Sequence, residues 1–173
     1  MTIDLRIMSA DDWRAWRSVR LAALTNAPDA FGSRLQDWVD APEDPWRQRL
    51  SIPGAIDLLA FDADENAAVG MATGTPDEDN GNRAQLISMW VDPAARGRGV
   101  ATALITAIAH WAARYGAATL ALSVMPDNAA ARRTYEKNGF IMSRESCDLL
   151  PDGWPELVML RDLSPERTVG KRR

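Results

Sequence analysis

Cysteine and histidine are nearly absent from the 173-residue chain, which has one of each. A lone cysteine, Cys147, excludes an internal disulfide, and no spacing of Cys and His fits a zinc site. We interpret Cys147 as a half-buried strand residue. No stretch approaches the roughly 20 apolar residues of a membrane span, and the first ten residues lack the apolar core of a secretory signal. We therefore expect a cytoplasmic protein with no metal ion and no membrane contact.

The charge balance is slightly acidic, with a net charge of −4 and 25% charged residues. A nucleic-acid partner normally requires a basic face, so this balance argues against one. The length is that of one domain with a substantial core, and we place that domain at residues 1–163. Residues 164–173 end in Lys171-Arg172-Arg173 and lack periodicity, which predicts a disordered basic tail.

The spacing of apolar residues predicts the element order β-α-α-β-β-β-α-β-α-β-β. The seven strands are expected at residues 3–8, 56–61, 68–75, 84–91, 119–124, 140–149 and 157–163. Four helices are expected. The first begins at Ser9, and the second is a proline-interrupted stretch that ends near Leu50. The third follows Gly97 and Gly99 and ends at about Tyr115, and the fourth spans residues 127–137. Because hairpins precede a later β-α-β unit, the pattern predicts an α/β fold with a mixed sheet.

A glycine-rich turn between a strand and the third helix is the most informative segment. Gly97 and Gly99 lack the Cβ atoms that would keep an anion away, and the helix that follows presents free backbone N–H groups. Arg96 and Arg98 add positive charge, and Thr102 adds a hydroxyl one turn into the helix. The pattern favours a pyrophosphate ligand, although a plain surface turn with arginines has the same composition.

Two other phosphate motifs do not match this turn. A P-loop requires a Gly-Lys-Ser/Thr ending, and the turn contains no lysine. A dinucleotide-binding turn requires a third glycine, and Thr102 occupies that position.

The turn does match the central Q/R-x-x-G-x-G/A motif of GNAT acetyltransferases, through Arg96, Gly99 and Ala101. About 30 residues later, a second segment resembles the N-x-x-A-x-x-x-Y-x-x-x-G-F element of the same superfamily, and its matching residues are Asn128, Ala131, Tyr135, Gly139 and Phe140. The resemblance covers residues 84–163. A looser match to R-x-x-A-L and P-x-A-F-G, at residues 20–24 and 28–32, is similar to bacterial GNAT proteins of the small-molecule type.

This resemblance implies a GNAT fold: a mixed, largely antiparallel sheet of six or seven strands, splayed at the CoA site and flanked by about four helices. It implies acetyl-CoA as co-substrate, held by the glycine turn and by a bulged strand whose backbone binds the pantetheine arm. The implied cofactor-binding residues are Met89, Trp90, Val91, Arg96, Gly97, Arg98, Gly99, Val100, Ala101, Thr102, Asn128, Ala131 and Tyr135.

The resemblance also assigns Tyr135 as the catalytic acid that protonates the departing CoA thiolate; the alternative is a core tyrosine under the pantetheine arm. The general base is not identified, because Gln85 occupies the position where histone-modifying members carry a glutamate. Candidate carboxylates, each with a surface role as the alternative, are Asp37, Glu43, Asp44, Asp77, Glu78 and Asp152. His110 is expected to face solvent, opposite the apolar stripe of Leu104, Ile108, Trp111 and Tyr115.

The acceptor groove of this fold is expected between the first two helices and the last hairpin. Its aromatic and acidic candidates are Phe31, Trp38, Trp46, Trp154, Asp37, Asp40, Glu43, Asp44 and Glu156. Aromatic rings beside carboxylates suit a cationic amine such as a polyamine, an aminoglycoside or an amino-acid-like compound, although tryptophans at helical spacing are also typical of a core.

The sequence therefore predicts an N-acetyltransferase that moves the acetyl group of acetyl-CoA to a primary amine of a small molecule, by direct attack in a ternary complex. A peptide or protein N-acetyltransferase and a non-catalytic CoA-binding sensor are the alternatives. Members of the superfamily are often dimers, so a homodimer is an expectation that no feature of the sequence tests.

Overall fold

The computed structural model describes residues 1–144 and 156–164. Its strands are β1 (Ile3–Met8), β2 (Ile56–Asp62), β3 (Ala67–Pro76), β4 (Arg83–Val91), β5 (Thr119–Val124), β6 (Ile141–Met142) and β7 (Leu157–Asp162). Its α-helices are α1 (Trp13–Asn26), α2 (Leu35–Trp38), α3 (Glu43–Arg49), α4 (Val100–Tyr115) and α5 (Ala129–Lys137). None of the helices in these described ranges is both long enough and apolar enough to cross a bilayer.

The seven strands form one mixed sheet in the order β1-β2-β3-β4-β5-β7-β6. Every neighbouring pair is antiparallel except β4 and β5, which run parallel on either side of the α4 crossover. A parallel pair needs such a crossover, whereas the hairpins at the start of the chain do not. The predicted mixed and largely antiparallel sheet is confirmed.

The sheet opens between its two parallel strands. Only residues 83–85 of β4 pair with residues 119–121 of β5, and no other described residue pairs with the rest of β4 on that side. On the other side of β4, Trp90 pairs with Met71 but Ile87 pairs with Thr73, so β4 contains one extra residue. Ser88 lies in this bulge with a φ of +53°. A bulge bends its strand, so the predicted bulged and splayed β4 is present.

Two apolar layers cover the two faces of the sheet, because alternate strand residues point to opposite faces. On one face, α4 buries Leu104, Ile105 and Ile108 against the sheet. On the other face, α1 and α3 bury Trp16 and Trp46. The strand centres are covered on both faces, and the gap between β4 and β5 leaves room for a ligand.

Three details of the sequence prediction were wrong. A 3₁₀ turn (Ala10–Asp12) precedes α1, because the Ser9 amide donates to the Asp12 carboxylate at 2.8 Å and fixes a tight turn first. The proline-interrupted stretch forms two helices, α2 and α3, instead of one. Tyr115 is 56% exposed, because the last turn of α4 lies over the loop before β2, beside Gly54. The predicted strand at 140–149 is described only at Ile141–Met142, and Cys147 and the tail from 165 lie outside the described residues.

Gly74 in β3 provides a test of how tightly α4 packs on the sheet. A Cβ at Gly74 would lie 2.6 Å from Cζ3 of Trp111 and 3.2 Å from Cγ2 of Ile108. We expect Gly74→Ala to lower the free energy of unfolding by about 1–3 kcal/mol through overpacking. Gly81→Ala is the matched control, because a Cβ there meets no atom within 4 Å. Thermal denaturation of both variants checks this, and an unchanged Tm for Gly74→Ala would contradict the packing described.

Candidate active site

A cleft of about 400 Å³ lies where β4 leaves β5, bounded by the start of α4, by α5 and by the loop after α1. Twelve of the thirteen residues predicted to bind the cofactor line it; the exception is Arg98, which is exposed. The lining residues that sequence reasoning missed are Ala27, Ala30, Ala95, Ala130, Thr134, Lys137 and Asn138, whereas Phe31 was expected in the acceptor groove. Two motifs that are separate in the chain are thus brought to opposite walls of one cleft.

The glycine turn forms one end of the cleft. Gly97 and Gly99 have φ values of +75° and +86°, a conformation that side-chain-bearing residues rarely adopt. The first backbone bond of α4 runs from the Ala103 amide to the Gly99 carbonyl at 3.0 Å, so the amides before Ala103 precede the helical ladder. No atom within 4 Å occupies the space where a Cβ of either glycine would lie. The result is an open cradle of N–H groups at the positive end of a helix dipole, which suits an anion.

Arg96 is held against α1. Its Nε donates to the Val91 carbonyl at 3.3 Å, and its Nη2 lies 3.4 Å from Oδ1 of Asn26. The same amide oxygen accepts a hydrogen bond from Nε1 of Trp90 at 3.1 Å. Asn26 therefore connects the end of α1 to both β4 and the glycine turn. No motif contains it, so the sequence offered no signal for this role.

The three predicted residues of β4 contribute to the cleft in different ways. Trp90 is 6% exposed and packs in the core under α1, so its side chain is structural. Met89 and Val91 are half-buried on the opposite side, beside the α4 layer. Because Ser88 and Met89 lie in the bulge, they have no partner residues on β3. On the cleft side, β5 pairs with β4 only as far as Gln85, so the backbone groups of β4 that point there beyond Gln85 are open to a ligand.

Helix α5 forms the wall opposite β4. It begins at Asn128, whose side chain accepts from the Ala131 amide at 3.2 Å and so caps the helix. It ends as predicted, with Gly139 at a φ of +87° and with bonds from Phe140 N to Tyr135 O and from Gly139 N to Glu136 O, both at 3.1 Å. These two bonds form a Schellman motif, which fixes the last turn and the tyrosine that it carries.

Tyr135 lines the cleft from α5, with its ring edge-on to Phe140 at 5.9 Å between centroids. Burial raises the pKa of the Tyr135 hydroxyl to about 12. Among the described residues, none accepts a hydrogen bond from this hydroxyl. The hydroxyl is therefore protonated at neutral pH and has its proton available to a ligand.

None of the described residues that line the cleft is a carboxylate. Gln85 lies in the paired part of β4, opposite Ala121 and Thr75, away from the cleft. His110 is exposed, as predicted. The candidate carboxylates Asp37, Glu43, Asp44 and Glu78 are exposed, Asp77 is half-buried, and Asp152 lies outside the described residues. The described part of the chain therefore offers no general base inside the cleft.

The aromatic residues predicted for the acceptor groove have different surroundings. Phe31 lines the cleft, half-buried. Trp46 is fully buried and contacts Trp38 at 4.6 Å between ring centroids, so it belongs to the core. Asp40 is exposed, Glu156 is half-buried, and Trp154 lies outside the described residues. Neither acidic residue is part of the cleft wall.

Residues 13–140 match the family model described as Acetyltransferase (GNAT) family. A mycothiol acetyltransferase from Mycobacteroides abscessus is 31% identical over 125 residues, which are 72% of this chain and 40% of that protein. The chain thus spans less than half the length of that relative.

Two solved structures share the fold. An acetyltransferase of the GNAT family from Streptococcus pneumoniae has a TM-score of 0.75 at 19% identity, covering 94% of this chain and 100% of that one. A PaiA N-acetyltransferase from Thermoplasma acidophilum, solved in complex with coenzyme A, has a TM-score of 0.72 at 17% identity, covering 94% and 99%. The sheet that opens between β4 and β5, the glycine turn and the family match lead to one conclusion: this chain belongs to the acetyltransferase (GNAT) family.

Proposed function

We propose that the chain transfers the acetyl group of acetyl-CoA to a primary amine of a small molecule, by direct attack in a ternary complex. The observation that carries the proposal is a single cleft with an anion cradle at the start of α4 and a protonated tyrosine, Tyr135, on the facing helix. A thioester donor with a pyrophosphate in its carrier needs both features.

The open N–H groups at the start of α4 fit the pyrophosphate of acetyl-CoA. Open amides after Gly97 can bind pyrophosphate oxygens, and Thr102 can add its hydroxyl, because both line the same end of the cleft. Lys137 lines the α5 wall and adds a cation for the remaining phosphate charge. The pantetheine arm would then lie along the unpaired edge of β4, where β5 has diverged.

The chemistry requires a neutral amine, a donor for the oxyanion and a proton for the leaving thiolate. The amine nitrogen attacks the thioester carbonyl, the C–S bond breaks and CoA leaves as a thiolate, which takes its proton from the Tyr135 hydroxyl. A backbone N–H in the bulge at Ser88 and Met89 is the donor that we propose for the oxyanion. Because no described lining residue is a carboxylate, the amine loses its proton to solvent through water molecules, which main-chain carbonyls can hold by hydrogen bonds. The Tyr135 phenolate regains its proton from the same solvent.

An enzyme is favoured over a non-catalytic sensor by the free hydroxyl of Tyr135, which a sensor would not need. The name of the curated relative, a mycothiol acetyltransferase, also favours acetyl transfer.

The proposal is tested by release of free CoA thiol from acetyl-CoA in the presence of a panel of primary amines and peptides. We expect small amines to stimulate release, with one acetylated product formed for each thiol, as counted by mass spectrometry. Tight CoA binding without stimulation by any amine would identify a sensor, and stimulation by peptides alone would identify a peptide acetyltransferase.

A further inference from the structure

A polar cluster lies between α1 and the sheet beside the cleft. Its members are the buried residues Arg20, Asp57 and Thr73 and the half-buried residues Arg49 and Ser88. The mechanism above uses none of these side chains except through the backbone at Ser88. The charges of the cluster do not balance, because it contains the guanidinium groups of Arg20 and Arg49 but only the carboxylate of Asp57. Buried charges are normally paired, so the imbalance requires an explanation.

Arg49 is fully engaged. Its Nη1 forms an ion pair with Oδ1 of Asp57 at 3.1 Å, and its Nη2 donates to the hydroxyls of Thr73 at 2.9 Å and Ser88 at 3.0 Å. Thr73 in turn donates to the Asp57 carboxylate at 2.6 Å. The guanidinium also lies 5.2 Å from the centre of the Trp16 ring. Asp57 is therefore already neutralised by Arg49 and is not available to a second cation.

Arg20 is the unbalanced charge. The residue is 7% exposed, and its buried Nη1 has no hydrogen-bond partner among the described residues. Burial, and secondly the nearby Arg49 guanidinium, lower the pKa of Arg20 to about 10. The side chain is thus still charged at neutral pH, in a place where an unpaired cation is unfavourable.

The cluster touches the cleft wall at two points. The Arg20 guanidinium lies 4.6 Å from the centre of the Phe31 ring, and Phe31 lines the cleft. Arg49 binds Ser88, and Ser88 directly precedes the lining residue Met89 at the bulge. Neither Phe31 nor Met89 belongs to the glycine turn, and Arg20 is not itself a lining residue but reaches the cleft wall through Phe31. The unpaired charge is therefore not part of the phosphate cradle.

We propose that the acetyl acceptor carries a carboxylate as well as its amine, and that Arg20 binds this carboxylate. The inference rests on the proposed function and narrows its acceptor to amino acids and their acidic relatives. The sequence predicted that acidic residues attract a cationic acceptor. In the structure, however, the exposed Asp37 pairs with Arg34 and the exposed Glu43 pairs with Arg47. The guanidinium is a planar donor that matches a carboxylate.

The first test compares matched acceptors: α-amino acids, the corresponding amino-acid amides, and the amines that remain when the carboxylate is removed. We expect kcat/KM for the carboxylate member of each set to exceed that of its partners by roughly tenfold to a hundredfold, the effect of a charge-assisted hydrogen bond. If neutral acceptors react equally well, the inference fails while the proposed function stands. If no acceptor stimulates thiol release, the proposed function fails.

The second test uses Arg20→Met, which keeps the length of the side chain but removes its charge. We expect the preference for carboxylate acceptors to disappear through a higher KM, and the affinity for acetyl-CoA to remain within about twofold of wild type. Arg14→Met is the control, because Arg14 lies on the same helix but is exposed, stacked 4.7 Å from the centre of the Trp13 ring. A loss of acetyl-CoA affinity in Arg20→Met, with the acceptor preference retained, would overturn the assignment.

Two further readouts separate ligand binding from a structural role and do not depend on turnover. N-acetylated amino acids, tested with CoA by isothermal titration, should bind wild type at least tenfold more tightly than Arg20→Met, whereas N-acetylated amino-acid amides should not distinguish the two proteins. Without ligand, Arg20→Met should have an equal or higher Tm, because an unpaired buried charge is removed. A clear fall in Tm together with equal binding of both ligand classes would show that Arg20 is structural.

Discussion

Replacing Tyr135 with phenylalanine is expected to lower kcat by roughly 10²- to 10³-fold, the usual contribution of a positioned general acid. The ring and its edge-on contact with Phe140 are retained, so the KM for acetyl-CoA should change little. Steady-state thiol release measures both quantities. Tyr115→Phe is the matched control, since Tyr115 is the other tyrosine of the chain and is exposed at the far end of α4.

The nature of the leaving group separates an acid from a packing residue. A thioester whose thiol has a lower pKa needs less help from an acid, so an aryl thioester should shrink the defect of Tyr135→Phe. If the defect is the same for acetyl-CoA and for the aryl thioester, or if turnover of the variant equals that of wild type, Tyr135 does not donate the proton.

The pH dependence of kcat should show no ionisation of Tyr135 in the usual assay range. Because burial raises the pKa of Tyr135 to about 12, its hydroxyl stays protonated throughout the usual assay range. Tyr135 should therefore cause no decline in kcat as the pH rises to about 10, the value at which an unperturbed tyrosine would start to ionise. The rising limb of kcat/KM should follow the pKa of the acceptor amine, because the described cleft residues include no carboxylate base.

Gly99→Ala is expected to weaken the binding of acetyl-CoA by roughly a hundredfold, the equivalent of about two charge-assisted hydrogen bonds at 1.5 kcal/mol each. Gly99 has a φ of +86° and opens directly onto the cleft. An alanine there favours another backbone conformation, which would rotate the adjoining amides away from the phosphates, and its methyl group would occupy their space. Isothermal titration with acetyl-CoA measures the change.

Gly116 provides a closely matched control. It ends the same helix with a φ of +99°, and a Cβ there also meets no atom within 4 Å. Gly116→Ala should therefore introduce a similar backbone strain of about 1–2 kcal/mol and a similar loss of Tm, but without a change in acetyl-CoA affinity. Equal losses of affinity in the two variants would mean that the glycine turn acts through stability and does not bind the phosphates.

Much of the fold could be predicted because local signals agree with the tertiary structure. The strands follow alternating apolar residues, and α4 ends at Tyr115 as predicted, because Gly116 readily adopts the left-handed conformation of a C-cap. The exposed Tyr115 was mispredicted because helical spacing defines a direction around the helix axis but not where the sheet beneath it ends. The split between α2 and α3 falls just before Pro42, the N-cap of α3, so the proline in this stretch ends one helix and precedes another instead of interrupting a single one.

The candidate site, too, was predicted from the sequence only in part. The residues of the two motifs were assigned to one cofactor site through the resemblance to GNAT acetyltransferases, and the opening between β4 and β5 brings them to one cleft. Asn26 and the cluster around Arg20 were missed because they depend on long-range contacts: the bond from Arg49 to Ser88 spans 39 residues, and that from Trp90 to Asn26 spans 64. Although Arg20 begins the R-x-x-A-L match, neither that match nor any periodicity shows which distant residues a side chain contacts.

The central claim is that acetyl-CoA lies between β4 and β5 with its phosphates on the glycine turn and its sulfur beside Tyr135. A crystal structure of the complex with CoA tests this most directly. We expect the pyrophosphate oxygens to lie within hydrogen-bond distance of amides between Gly97 and Thr102. We also expect the CoA sulfur to lie within hydrogen-bond distance of the Tyr135 hydroxyl. Phosphates bound away from the start of α4, or a sulfur far from Tyr135, would contradict it.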